Sequence, residues 1–223
     1  MTFSLIARCA KTGQFGIVIS SSSPAVAARC AHTRAGVGAV ASQNITDPAL
    51  GPLLLGELAK AKAADQALSE VIQNRQHIDY RQLLVIDATG KTAIHSGTQV
   101  LGTWAAAQGI DCAAGGNLLA NPRVPQAMIS AFQSTQGHLG DRLIAALTAG
   151  LAAGGEAGPV HSAGMKISDK LDWPLVDLRI DWSDTPIQDL EIAWAIYRPQ
   201  MAAYVQRAQD PTQAPSYGVP GDE

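Results

Sequence analysis

MTFSLIARCAKTGQFGIVIS, residues 1–20, is the stretch on which the fold turns. Two β-rich runs, FSLIARC at 3–9 and FGIVIS at 15–20, flank the connection AKTGQ. Lys11, Thr12 and Gly13 in that connection read as the turn of a hairpin. The residues TFSLI thus form an ordinary first strand, beginning directly behind the initiator Met. Thr2 has a second reading. Methionine is trimmed when a small residue follows it, and trimming here makes Thr2 the first residue. Thr2 then carries a hydroxyl nucleophile and a free α-amine base on one carbon skeleton. With an unperturbed pKa near ~7.7–8, such an amine is partly neutral in the cell, so no distant His is required. A retained Met1 blocks the amine in a peptide bond and removes this mechanism.

Further along the chain, SSSPAVAARCAHTRAG is a small-residue segment around Pro24, and VGAVASQ (37–43) reads as a third strand. Asn44 to Pro52 reads as a loop, with Asp47-Pro48 and Gly51-Pro52 as breakers. Apolar residues at helical spacing run from Leu53 to Ile72, with Asp65 as a second helix start. YRQLLVID (80–87) and TAIHSG (92–97) form a second hairpin, and TWAAAQG (103–109) and IDCAAGGNLL (110–119) add short strands. Helices follow at 124–135 and 138–154, the second stopped by Gly154-Gly155. Strands return at 159–168 and 175–181, and Pro186 opens a last helix through about Ala208. This order fits an α+β layer architecture, with two antiparallel sheets face to face and helices on both outer surfaces. The small-residue strands suit close packing at its centre. One domain over 1–209 and a Pro/Gly-rich tail over 210–223 are expected.

Composition sets the outer bounds. The 223 residues are 47% hydrophobic, enough for one substantial core. Charged residues make up only 16%, against a usual level of roughly 25%. That low charge, with the Ala and Gly richness, fits a broad buried interface or a large layered core. The net charge of −3 carries no basic footprint for nucleic acid. No apolar run reaches the ~20 residues of a membrane span, and no signal-peptide pattern opens the chain. Cys9, Cys30 and Cys112 form no CxxC pair and read as reduced, mostly buried thiols. A cytoplasmic protein is expected. The five histidines are scattered without metal-binding spacing, so neither a metal nor a cofactor is assigned.

Other candidate residues carry two readings each. Gly115-Gly116-Asn117 is either a turn or bulge between elements, or a close-approach site whose Gly116 N–H and Asn117 amide hold an oxyanion. Ser20 and Ser21 open a serine run at a strand end, either a loop or a lining of hydroxyls. Arg29 and Arg34 either fork onto a substrate carboxylate or pair with Asp47 or Asp177. Asp177, mid-strand, faces the same side as Arg179, which favours a structural pair.

Taken in order, MTFSLIAR, TGQFGIVISSSSPAVAA, RAGVGAVASQ, YRQLLVIDATGKTAIHSG, GGNLLA and VDLRID resemble a bacterial family, domain-of-unknown-function family 1028. It is grouped with the N-terminal-nucleophile (Ntn) hydrolases, and the resemblance covers roughly residues 2–182. It implies a four-layer αββα sandwich and hydrolysis of an amide bond by an N-terminal Thr, Ser or Cys, here Thr2. Relatives of the fold often place a Lys near the nucleophile. No lysine lies between Lys11 and Lys60, so that role is empty or passes to Arg29 or Arg34. The loop after the third strand, residues 43–48, also departs from the family pattern. With Asn44 lining the cleft, it implies different substrate contacts. The resulting expectation is an amidohydrolase acting on a small, carboxylate-bearing molecule. The rivals are a ligand-binding or oligomer-assembly module of the same fold, and a deaminase or cyclic-amide enzyme without an N-terminal nucleophile. A homodimer is compatible with each.

Overall fold

The structure is a computed structural model describing residues 1–73 and 75–221. The opening hairpin forms as its pattern dictates. Strand β1 (Thr2–Arg8) and strand β2 (Phe15–Ser21) pair antiparallel, with Gly13 at φ 79° in the turn. Alternation along β1 then sorts its side chains between two cores. Phe3, Leu5 and Ala7 belong to one and Ile6 to another, so Thr2 and Ser4 share the face of Ile6.

After β2 come helix α1 (Val26–Cys30), strands β3 (Ala31–Arg34) and β4 (Gly38–Asn44), and helices α2 (Leu50–Leu58) and α3 (Ala64–Gln73). Strands β5 (Arg81–Ile86), β6 (Thr92–Ser96), β7 (Ala105–Gly109) and β8 (Cys112–Asn117) follow. The chain continues with α4 (Val124–Ser134), α5 (Leu139–Ala152), β9 (Ser162–Ser168), β10 (Val176–Ile180), α6 (Pro186–Tyr197) and α7 (Met201–Gln209). One sheet has the order β10-β9-β2-β1-β8-β7 and the other β3-β4-β5-β6, antiparallel throughout.

Three apolar clusters hold four layers together. Phe3, Leu5 and Val18 pack against Met128, Phe132, Leu143 and Leu147 of α4 and α5. Val40, Leu83 and Val85 pack against Leu50, Leu54 and Leu68 of α2 and α3. Between the sheets lie Ile6, Ile17, Ile19, Leu84 and Ile86 with Ala39, Ala41 and Ala113. The small residues of β4 and β8 allow this close approach. At Gly115 a Cβ would stand 3.0 Å from Leu84 Cδ2, at the edge of contact. The molecule is thus a four-layer αββα sandwich, as both the element order and the resemblance imply.

Several local expectations change. The small-residue segment around Pro24 contains α1 and the edge strand β3. Gly51-Pro52 does not break a helix but sits in the first turn of α2, where the missing Pro N–H has no intrahelical partner to lose. Gly51 is required there because a Cβ would stand 2.2 Å from the His32 ring. Tyr80 belongs to a 3-10 turn ahead of β5. The last helix is interrupted by a 3-10 turn over Arg198–Gln200, where Pro199 cannot donate to the ladder. Asp177 and Arg179 do form the structural pair, at 2.7 and 2.8 Å, joined by Lys166 at 3.4 Å.

Candidate active site

One end of the layer between the sheets is polar. There β1 starts, β2 ends, and Thr2 stands opposite Asn117 of β8 in the ladder. Thr2 is 4% exposed and Asn117 fully buried. The Thr2 Oγ1 and Ser21 Oγ hydroxyls both donate to the Met1 carbonyl oxygen. Ser21 Oγ also accepts from Ser23 N–H at 3.0 Å. Beneath them runs a side-chain chain between the two sheets. Ser4 Oγ donates to Gln43 Oε1 at 2.7 Å, and Gln43 Nε2 donates to Gln82 Oε1 at 2.8 Å. Gln82 Nε2 donates to Ser96 Oγ at 3.2 Å and to the Gly116 carbonyl at 3.3 Å. Asn117 Nδ2 donates to Gln82 Oε1 at 3.5 Å.

Glu156 approaches from the turn after α5, bridged to Leu119. Its two carboxylate oxygens each accept from Ser22 N–H at 3.2 Å. Burial pushes this carboxyl up to about 7, against the opposing pull of the chain's amine and Ser22. It therefore exchanges a proton near neutral pH, beside the start of the chain.

The sequence candidates divide around this site. Thr2, Ser21 and Asn117 meet there. Ser20 does not, because it alternates to the helix-facing side and donates to the Ser162 carbonyl at 2.9 Å. Gly116 lies inside the sheet, opposite both Phe3 and Ala105, so its N–H is committed to the ladder. Neither Gly115 nor Gly116 has a positive φ; Leu118 has it instead, at 51°. Gly116 serves packing, since a Cβ there would lie 2.6 Å from Leu119 Cδ2 and 3.0 Å from the Thr2 carbonyl oxygen.

Asn44 ties loops together. It sits at φ 74°, donates to the Tyr80 carbonyl at 2.6 Å and accepts from Leu101 N–H at 3.2 Å. Arg29 binds the carbonyls of Pro24 and Ala25 at 2.6 and 3.1 Å rather than Asp47 or Asp177. Arg34 is exposed at the Gly38 end of β4, six residues or roughly 20 Å along the strand from Asn44. Among the described residues no hydrogen bond links either arginine to Thr2, and Asp47 pairs with Arg75 instead, at 2.8 Å.

Gln43, Gln82 and Glu156 were not among the sequence candidates. Gln43 and Gln82 lie at polar strand ends, beside Ser42 and Asn44 and beside Arg81, and Glu156 is the sole charge in GLAAGGEAG. Those features are the only local signal they give.

A crystal structure of a protein from Silicibacter pomeroyi, described as a member of family DUF1028, superposes with a TM-score of 0.82. The two are 28% identical, and the match covers 88% of each chain. Anbu, the ancestral β-subunit from Yersinia bercovieri, matches at a TM-score of 0.39 and 12% identity over 91% of this chain and 97% of that one. A likeness of that size carries no argument about this protein. No curated protein matches the chain. The model of the family of unknown function DUF1028 matches residues 2–190, and the chain belongs to that family.

Proposed function

We propose that this protein is an N-terminal-nucleophile amidohydrolase that cleaves an amide bond of a small molecule. The observation that carries the reading is the convergence of the Thr2 and Ser21 hydroxyls on one carbonyl oxygen, that of Met1. Removal of Met1 frees both hydroxyls and turns the Thr2 amide nitrogen into an amine. Thr2 Oγ then attacks the substrate carbonyl carbon while the amine takes its proton. Ser21 Oγ–H donates to the oxyanion, in place of the Gly116 N–H committed to the sheet. The C–N bond breaks as the amine returns the proton to the leaving nitrogen. Water, deprotonated by the same amine, attacks the Thr2 ester and releases the carboxylate. Glu156, buried beside the start of the chain, is the nearby carboxyl in this reading.

The protein acts in the cytoplasm on a soluble substrate and binds neither nucleic acid nor a bilayer. Among its described residues no helix is long and apolar enough to cross a membrane. A second reading, a non-catalytic binding or assembly module, is favoured by a different observation. Ile192 and Ile196 of α6 are 58% and 61% exposed. They stand on the same helix as Trp194 and Ala195, which line a cleft of about 920 Å³ between α5 and α6. A homodimer is compatible with either reading.

The test is a panel of N-acylated amino acids, lactams, cyclic imides and dipeptides, offered to protein that begins at Thr2. Turnover that Thr2→Ala abolishes, with the fold kept, supports the amidohydrolase. Thr2→Ala protein working at the full rate overturns it and moves the chemistry to a deaminase-type site.

A further inference from the structure

The orientation of Asn117 is fixed by its neighbours. The Gly116 carbonyl can only accept, so the Gln82 nitrogen faces it and Gln82 Oε1 faces the other way. Gln82 Oε1 in turn requires donors from Gln43 and Asn117, which places Asn117 Nδ2 toward it. Asn117 Oδ1 is left as a fully buried acceptor with no partner among the described residues. Such an atom is destabilising unless a donor reaches it. An outside ligand cannot easily supply that donor at a fully buried atom. The Thr2 nitrogen can. Thr2 stands directly opposite Asn117 with its carbonyl and N–H on the β8 side, so its one amide N–H pairs with the Asn117 backbone carbonyl in the ladder, and the further N–H groups gained when Met1 is removed are the donors left for Oδ1.

We propose that Asn117 is a positioning residue for the Thr2 amine: once Met1 is removed, its side-chain carbonyl accepts an N–H from the Thr2 nitrogen and aims the amine at Thr2 Oγ. This rests on the amidohydrolase reading, and it replaces the oxyanion contact expected of Asn117 with an acceptor contact. The Gln82–Gln43–Ser4 chain holds the acceptor in place from the second sheet. Two ionisable groups on neighbouring elements feel the Met1 amine at this end of the chain, Glu156 after α5 and Cys30 at the end of α1. The strands that carry Ser21, Gln43 and Gln82 present only neutral groups to it.

The experiment measures the pKa of the Thr2 amine directly, with no substrate. The full chain is released from a fusion so that it begins at Thr2. It is labelled with trace acetic anhydride across a pH series and read by peptide mass. Asn117→Asp places a carboxylate on the amine and raises its pKa by about one unit or more. Asn117→Leu removes the acceptor and lowers it. Gln43→Glu puts the same charge one link further away and gives less than half the Asn117→Asp shift. Equal shifts from Asn117→Asp and Gln43→Glu, or an amine indifferent to Asn117→Asp and Asn117→Leu, overturn the proposal. Should Asn117→Leu fail to fold, the comparison of the two acidic variants decides alone. A shifted amine in a protein with no amidase activity keeps this assignment and overturns the amidohydrolase reading.

Discussion

Glu156 shows how a single residue links burial to function. Its carboxyl is raised to about 7 from the usual 4.5 because it is buried. In the unfolded chain it is already ionised at pH 6. Between about pH 4.5 and 7 the folded protein therefore binds more protons than the unfolded one. The stability Glu156 contributes is present below pH 4.5 and is lost as the pH rises through 7. At its upper bound this is roughly 3 kcal/mol. Glu156→Gln should flatten the pH dependence of urea stability over that window. An unchanged slope means that the carboxyl is not held protonated. Glu156 could not be picked from GLAAGGEAG, because the chain start that it faces lies at the other end of the sequence. Thr2 could be read from its place behind Met1, a purely local feature.

At the scale of elements, α6 docks through Ile187, Leu190 and Trp194, and Trp194 adds specific polar and ring contacts. Trp194 is 4% exposed, stacks on His138 at 5.4 Å and donates its indole N–H to Asp141 Oδ1 at 2.9 Å. Both partners belong to the capping box of α5, in which His138 Nδ1 accepts from Gly140 N–H and Asp141 Oδ2 from His138 N–H. Trp194→Ala should cost about 3–5 kcal/mol in chemical denaturation. A loss under about 1 kcal/mol would mean that α6 is held elsewhere. The hairpins and both helices of the α4–α5 pair were legible from periodicity. The edge strand β3 was not, since AHTR carries no alternation of its own and forms by pairing with β4. The Ser4–Gln43–Gln82 chain was equally hidden. Its members are 39 residues apart at each step, and only the stacking of the two sheets brings them together.

For the molecule as a whole, residues 1–209 are expected to unfold as one cooperative unit. The tail folds back on α7, where Arg207 donates to the Pro215 and Ser216 carbonyls at 2.9 and 3.2 Å and lies 3.7 Å over the Tyr217 ring, and Gln206 donates to the Gln213 carbonyl. Deleting 210–223 should change stability by less than about 1 kcal/mol. Far-UV and tryptophan signals should still share one transition, and two separated transitions would contradict the single unit. The layer order was legible because strands and helices alternate in blocks along the chain. The site between the layers depends on which residue of one strand meets which of another, and on the state of the first residue. The central claim is that Thr2 is an N-terminal nucleophile, and the intact mass of untagged protein purified from cells tests it most directly. A mass short of one methionine is the predicted result. A mass that retains Met1 contradicts it, because the base of the reaction is then locked in a peptide bond.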